Sequence, residues 1–63
     1  MPDPLSDAQY ALLRRAAEPG GVLPTPTKMR AAKRLLRLSF VEWQGETLVA
    51  TPAGLKYLMD HAS

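Results

Sequence analysis

Lys28, Arg30, Lys33, Arg34 and Arg37 place five cations within ten residues, and no acid interrupts them. Guanidinium groups present forked donors that match phosphate oxygens and the O6/N7 edge of guanine. The formal net charge of the chain is only +2, so the informative feature is one concentrated positive stretch. Such a stretch suits a polyanionic partner. A solvated helix face is the competing reading, and charge alone does not separate the two. The stretch holds no carboxylate at i±4 to compensate it, which favours a partner that brings the negative charge.

The remaining chemistry is sparse. There is no cysteine and one histidine, so neither a disulfide nor a cysteine-based zinc site is expected. No histidine stands beside a suitable serine and acid, no carboxylate pair is evident, and Gly20-Gly21 leads into prolines instead of a helix. We therefore expect no enzyme, metal, cofactor or small-molecule ligand. Met1-Pro2-Asp3-Pro4 lacks an apolar run and a basic flank. A leader or membrane span is accordingly not expected, and the expected location is cytoplasmic, at the nucleoid if DNA is bound. At 63 residues one domain, 1–63, is expected, with a flexible N-terminus over 1–5. A domain this small buries only about 60% of its unfolded surface, so its stability margin is thin.

The elements that must carry these residues follow from patterning. Ser6 with Gln9 three residues on forms a capping box, Leu5 before the cap can staple onto Tyr10, and Asp7 suits the first turn. A first helix is expected from Ser6 to about Ala17, burying Tyr10, Leu13 and Ala17 with Leu12 and Ala16. Pro19-Gly20-Gly21 ends it. Val22-Leu23 suits a stub of strand, and Pro24-Thr25-Pro26 is read as stiff and non-helical. Thr27 or Thr25 then caps a second helix from Lys28 to Leu38. At roughly 100° per residue, Met29, Ala32, Leu35 and Leu36 fill its inner half, while Arg30, Lys33, Arg34 and Arg37 share an outer arc roughly 100° wide. Lys28 falls on the apolar side, where a long stem can snorkel outward.

Phe40 to Trp43 and Thr47 to Ala50 are rich in β-branched or aromatic residues, and Gln44-Gly45-Glu46 separates them. This pattern predicts a hairpin with Val41, Trp43, Leu48 and Ala50 on one face and Glu42 and Val49 on the other. Trp43 is read as core, with an interface role as the alternative. Thr51-Pro52 opens a last helix, with Leu55, Leu58 and Met59 inward. Met29 and Met59 read as core filler, and Gly54 as a site of close backbone approach. His61 suits the dipole at the helix end. The fold class is mainly α with a small β-hairpin (α+β), in the order helix, short strand, helix, hairpin, helix.

Leu35-Leu36-Arg37-Leu38-Ser39-Phe40-Val41-Glu42 resembles the end of the recognition helix and the start of the wing in MarR-like bacterial regulators, which often show Leu-x-x-Leu-Gly-Leu-Val-Glu. Leu48-Val49-Ala50-Thr51-Pro52-Ala53-Gly54 with Leu58 is similar to their second wing strand and the Leu-Thr-x-x-Gly-x-x-x-Leu start of the next helix. The resemblance spans about residues 35–58. It implies a winged helix-turn-helix domain and a bacterial or phage transcription regulator whose basic helix 27–38 reads double-stranded DNA. Thr27, Lys28, Arg30 and Arg34 would then lie nearest the bases, and Lys33 and Arg37 nearer phosphates. Arg14 and Arg15 are read either as added phosphate contacts or as solvated surface. A homodimer would strengthen core and binding together. Two departures stand out. Only Glu18 to Pro26 separates the long helices, too little for the short helix that usually precedes a recognition helix, and Ser39 replaces the usual glycine, implying a different exit or a small strain. The hairpin tip is acidic, with Glu42 and Glu46, where DNA-reading wings carry cations. The alternative is a winged-helix adapter that binds proteins and not DNA.

Overall fold

The computed structural model describes residues 5–61, and the expected mobility of residues 1–4 lies outside them. Leu5, expected to belong to that flexible segment, is instead buried in the core. Its place is set by the cap that follows. Ser6 Oγ accepts the Gln9 amide at 3.3 Å, and Gln9 Oε1 accepts the Ser6 amide at 3.0 Å. This reciprocal box starts α1 (Asp7–Ala16), whose inner face carries Leu12, Leu13 and Ala16.

A loop then leads to a 3-10 turn over Pro26–Lys28 and to α2 (Met29–Arg37). Pro26 was expected to be non-helical, but it occupies the first position of this turn. Its fixed φ suits a helical start, and the amide it lacks would have no partner there. Thr25 stands at the cap position without capping through its side chain; its hydroxyl meets that of Thr27 at 3.0 Å. α2 buries Ala31, Ala32 and Leu35 against α1. Among the described residues no α-helix lies between α1 and α2.

β1 (Val41–Gln44) and β2 (Thr47–Ala50) form an antiparallel hairpin pairing Val41 with Ala50 and Trp43 with Leu48. The expected register is therefore present. Val22 bridges the other edge of β2, exchanging backbone hydrogen bonds with Leu48 at 2.9 and 2.7 Å. Gly21, at φ +70°, permits this approach, since a Cβ there would collide with the Leu48 carbonyl. The core draws on all three α-helices and both strands, with Leu13, Leu35 and Leu48 fully enclosed.

Three expectations about burial fail. Trp43 shares the face of enclosed Leu48 but is 44% exposed. β2 lies between Val22 and β1, whereas Trp43 is on the outer strand beside the turn, past the reach of the core. Met29 and Met59 are exposed instead of filling the core. The inner face of α3 (Pro52–His61) is Gly54, Tyr57 and half-buried Leu58, while Leu55 and Met59 point outward. The reason is the junction that sets the rotation of α3.

At that junction α2 ends in a Schellman motif: Phe40 N–H donates to Leu35 O and Ser39 N–H to Leu36 O, each at 3.0 Å. Ser39 accordingly sits at φ +64°, the one non-glycine residue with positive φ among those described. Thr51 then joins the two helices. Its hydroxyl donates to Ser39 O at 2.6 Å and accepts the Gly54 amide at 3.1 Å. Its own amide donates to Phe40 O at 2.9 Å. Gly54 is pressed onto Phe40 so closely that a Cβ would collide with the Phe40 carbonyl oxygen. Tyr57 follows one turn later, its ring 4.9 Å from that of Phe40 and stacked on His61 at 4.0 Å.

Gly54→Ala is expected to lower unfolding free energy by about 1–3 kcal/mol through overpacking. Ser39→Gly is expected to raise it by about 1 kcal/mol by relieving a left-handed residue. Trp43→Ala should cost clearly less than Leu35→Ala, for which about 2–5 kcal/mol is typical of a closed core site. Urea titrations followed by far-ultraviolet circular dichroism measure all three.

Candidate nucleic-acid interface

α2 separates its residues by chemistry. With Ala31, Ala32 and Leu35 held inward, the 3.6-residue period sends Arg30, Lys33, Arg34 and Arg37 to the opposite, exposed side. The four line one shallow concavity of about 200 Å³. None of them is held in an ion pair or side-chain hydrogen bond among the described residues. Arg34 and Arg37 occupy the last turn of α2, where the helix dipole favours cations. Arg30 lies in the first turn, where it does not.

The other expected site residues divide differently. Lys28 is exposed at the end of the 3-10 turn but does not line the four-cation concavity. It shares a groove of about 270 Å³ with Arg15 of α1, floored by Leu12 and walled by Val22, Leu23 and Pro24. Arg14 and Arg15 are both exposed in the last turn of α1, where they line a separate surface hollow with Glu18. Thr27 is exposed and held to Thr25. Sequence reasoning missed the groove. Its one visible signal is Leu23, an apolar residue pinned between Gly21 and Pro24 and 63% exposed.

The hairpin tip is of opposite sign. Glu42 and Glu46 are exposed, with Trp43 half-covered between them. No group of three or more metal-ligating side chains forms among the described residues, and no helix there is long and apolar enough to cross a membrane.

No family model, curated protein or solved structure matches this chain. The geometry is therefore the ground for a functional reading. An α-helix with its side chains is about 10–12 Å across, which fits the roughly 12 Å width of the B-DNA major groove, and the 9-residue α2 would run about 13 Å along it. The stripe offers forked and point-charge donors along that length.

The same stripe should cost stability. Arg30–Arg34 and Lys33–Arg37 are like-charge i,i+4 pairs, each destabilising by roughly 0.2–0.5 kcal/mol. Arg30→Gln removes one such pair and the unfavourable dipole contact. Its melting temperature should rise slightly in low salt, and the gain should vanish in 1 M salt, where the Debye length is only about 3 Å. Differential scanning calorimetry at the two salts measures this.

Proposed function

We propose that the chain is a small winged-helix DNA-binding protein, a transcription regulator, that lays α2 in the major groove of duplex DNA. The observation that carries this reading is the cluster of Arg30, Lys33, Arg34 and Arg37 on one exposed, acid-free face directly opposite the core. The helix order and the hairpin following α2 support the winged-helix description. So does the Schellman exit at Ser39, which takes up the left-handed conformation that glycine would serve in the motif this segment resembles.

In this reading Arg30 and Arg34 approach base edges and Lys33 and Arg37 approach phosphates. Lys28 and Arg15, in their separate groove, contact backbone beyond the ends of α2. The acidic tip stays clear of the groove or faces a protein.

A second reading, a winged-helix adapter for protein partners, is favoured by one observation: a tryptophan half-exposed on an acidic hairpin. Tryptophan is enriched among residues that dominate protein interfaces.

Fluorescence anisotropy with labelled random-sequence duplexes separates the two. Under the DNA reading the logarithm of affinity falls with the logarithm of salt, with a slope of about −0.9 per phosphate contacted. Arg34→Ala should lose about 1–3 kcal/mol on preferred sites if it reads a base, or reduce the salt slope by about one if it holds a phosphate. Affinity unchanged after alanine replaces Arg30, Arg34 and Arg37 together would overturn the proposal. Glu42→Gln with Glu46→Gln should raise affinity several-fold in low salt and hardly at all in high salt, since the tip would lie within about a Debye length, roughly 10 Å at 0.1 M, of the phosphates. Affinity that falls instead would overturn this docking geometry.

A further inference from the structure

The groove beside α1 and the hairpin tip are complementary in shape and charge, and neither is satisfied among the described residues. The groove is lined mainly by apolar side chains, with Thr25 among them, and has two cations, Arg15 and Lys28. Its volume of about 270 Å³ exceeds the roughly 150 Å³ of an apolar cavity that admits a benzene ring. Among the described residues Trp43 is the one large aromatic ring left substantially exposed, and Glu46 follows it in the turn. Its own groove is out of reach, because Leu48 and β2 stand between Trp43 and Val22.

We propose that the hairpin tip of one copy docks in this groove of a second copy, with Trp43 against Leu12, Val22 and Leu23 and Glu46 of the turn beside Arg15 and Lys28. Trp43 and Val22 pair with opposite edges of Leu48, so they lie about two strand spacings, roughly 10 Å, apart in one chain. A two-fold axis passing between tip and groove lets both contacts form at once, and the assembly closes at two. Each contact is small, so association is weak, in the micromolar to millimolar range. The inference does not rest on the DNA reading of Arg30, Lys33, Arg34 and Arg37, which line a different surface; it does claim Arg15 and Lys28 for the dimer, so a docked tip excludes the backbone contacts proposed for those two.

Trp43 is the sole tryptophan, so its emission reports the contact directly. The 63-residue chain without DNA is studied from about 1 μM to about 1 mM by sedimentation equilibrium and by intrinsic fluorescence. The expected result is a monomer–dimer equilibrium accompanied by a blue shift of Trp43 emission. Trp43→Ala and Leu23→Glu each change a solvent-facing side chain and should keep the circular dichroism spectrum of the parent while weakening association at least tenfold. In Leu23→Glu the tryptophan is retained, and its emission should stay red at every concentration. Reversing the groove cations (Arg15→Glu with Lys28→Glu) or the tip (Glu46→Lys) should each weaken the dimer, and combining the three changes should restore association toward the parent. A chain that stays monomeric throughout overturns the proposal. So does a dimer whose Trp43 emission does not shift, or one indifferent to Leu23→Glu, because either places the interface on another face.

Discussion

The direction in which α2 presents its cations rests on the hydrogen bonds around Thr51. One hydroxyl ties the end of α2 to the start of α3 by donating to Ser39 O and accepting from Gly54 N–H. The Thr51 amide holds Phe40 O from the other side. The bond to Ser39 O lies at the surface, but the Gly54 amide is part-buried, and leaving such a group unpaired costs as much as a lost hydrogen bond or more, so this junction tolerates little rotation. Gly54 completes it by letting the two backbones touch. Tyr57 then falls onto Phe40 and Tyr10, joining α1, the α2–β1 corner and α3 through one ring. The outward face of α2 follows, because its inward face is fixed at both ends.

The local elements were readable wherever a signal was confined to a few residues. The capping box at Ser6, the break at Pro19-Gly20-Gly21, the bridge at Val22 and the hairpin register all appear as their side-chain chemistry predicts. The close approach at Gly54 was legible for the same reason: glycine in a first helical turn is costly unless space demands it. The faults lie where the decisive partner is distant in sequence. The α3 face was assigned from its most apolar residues, Leu55, Leu58 and Met59, but its rotation is set by carbonyls of Ser39 and Phe40 that no local pattern reveals. Trp43 was assigned from alternation alone. Alternation gives the side of a strand but not how far the core extends beneath it.

The site was legible in part. The i, i+3, i+4 and i+7 spacing of Arg30, Lys33, Arg34 and Arg37 suffices to put them on one face, and they share one concavity. Lys28 separates from them as the 100° spacing already requires, on the apolar side of the wheel, and the 3-10 turn through which the chain enters α2 leaves it exposed there. The groove that Lys28 shares with Arg15 is a product of packing between a helix and a loop, and no single stretch of sequence encodes it.

The bridge between Val22 and Leu48 also governs the order in which the molecule assembles. The hairpin and the α2–β1 corner close over short spans, whereas this bridge and the packing of α1 join parts far apart along the chain. Closing a long loop costs entropy before any contact rewards it. On loop-closure grounds the carboxy-terminal half is expected to organise first, with the amino-terminal helix and its glycine-proline loop as a late cover over Leu48. In the native state that cover is held to the sheet by two main-chain hydrogen bonds, which makes the loop a natural first point of opening. Amide hydrogens of Val22 and Leu48 then exchange with solvent ahead of those in the middle of α2, and the apolar interior is breached from the side that carries no basic stripe.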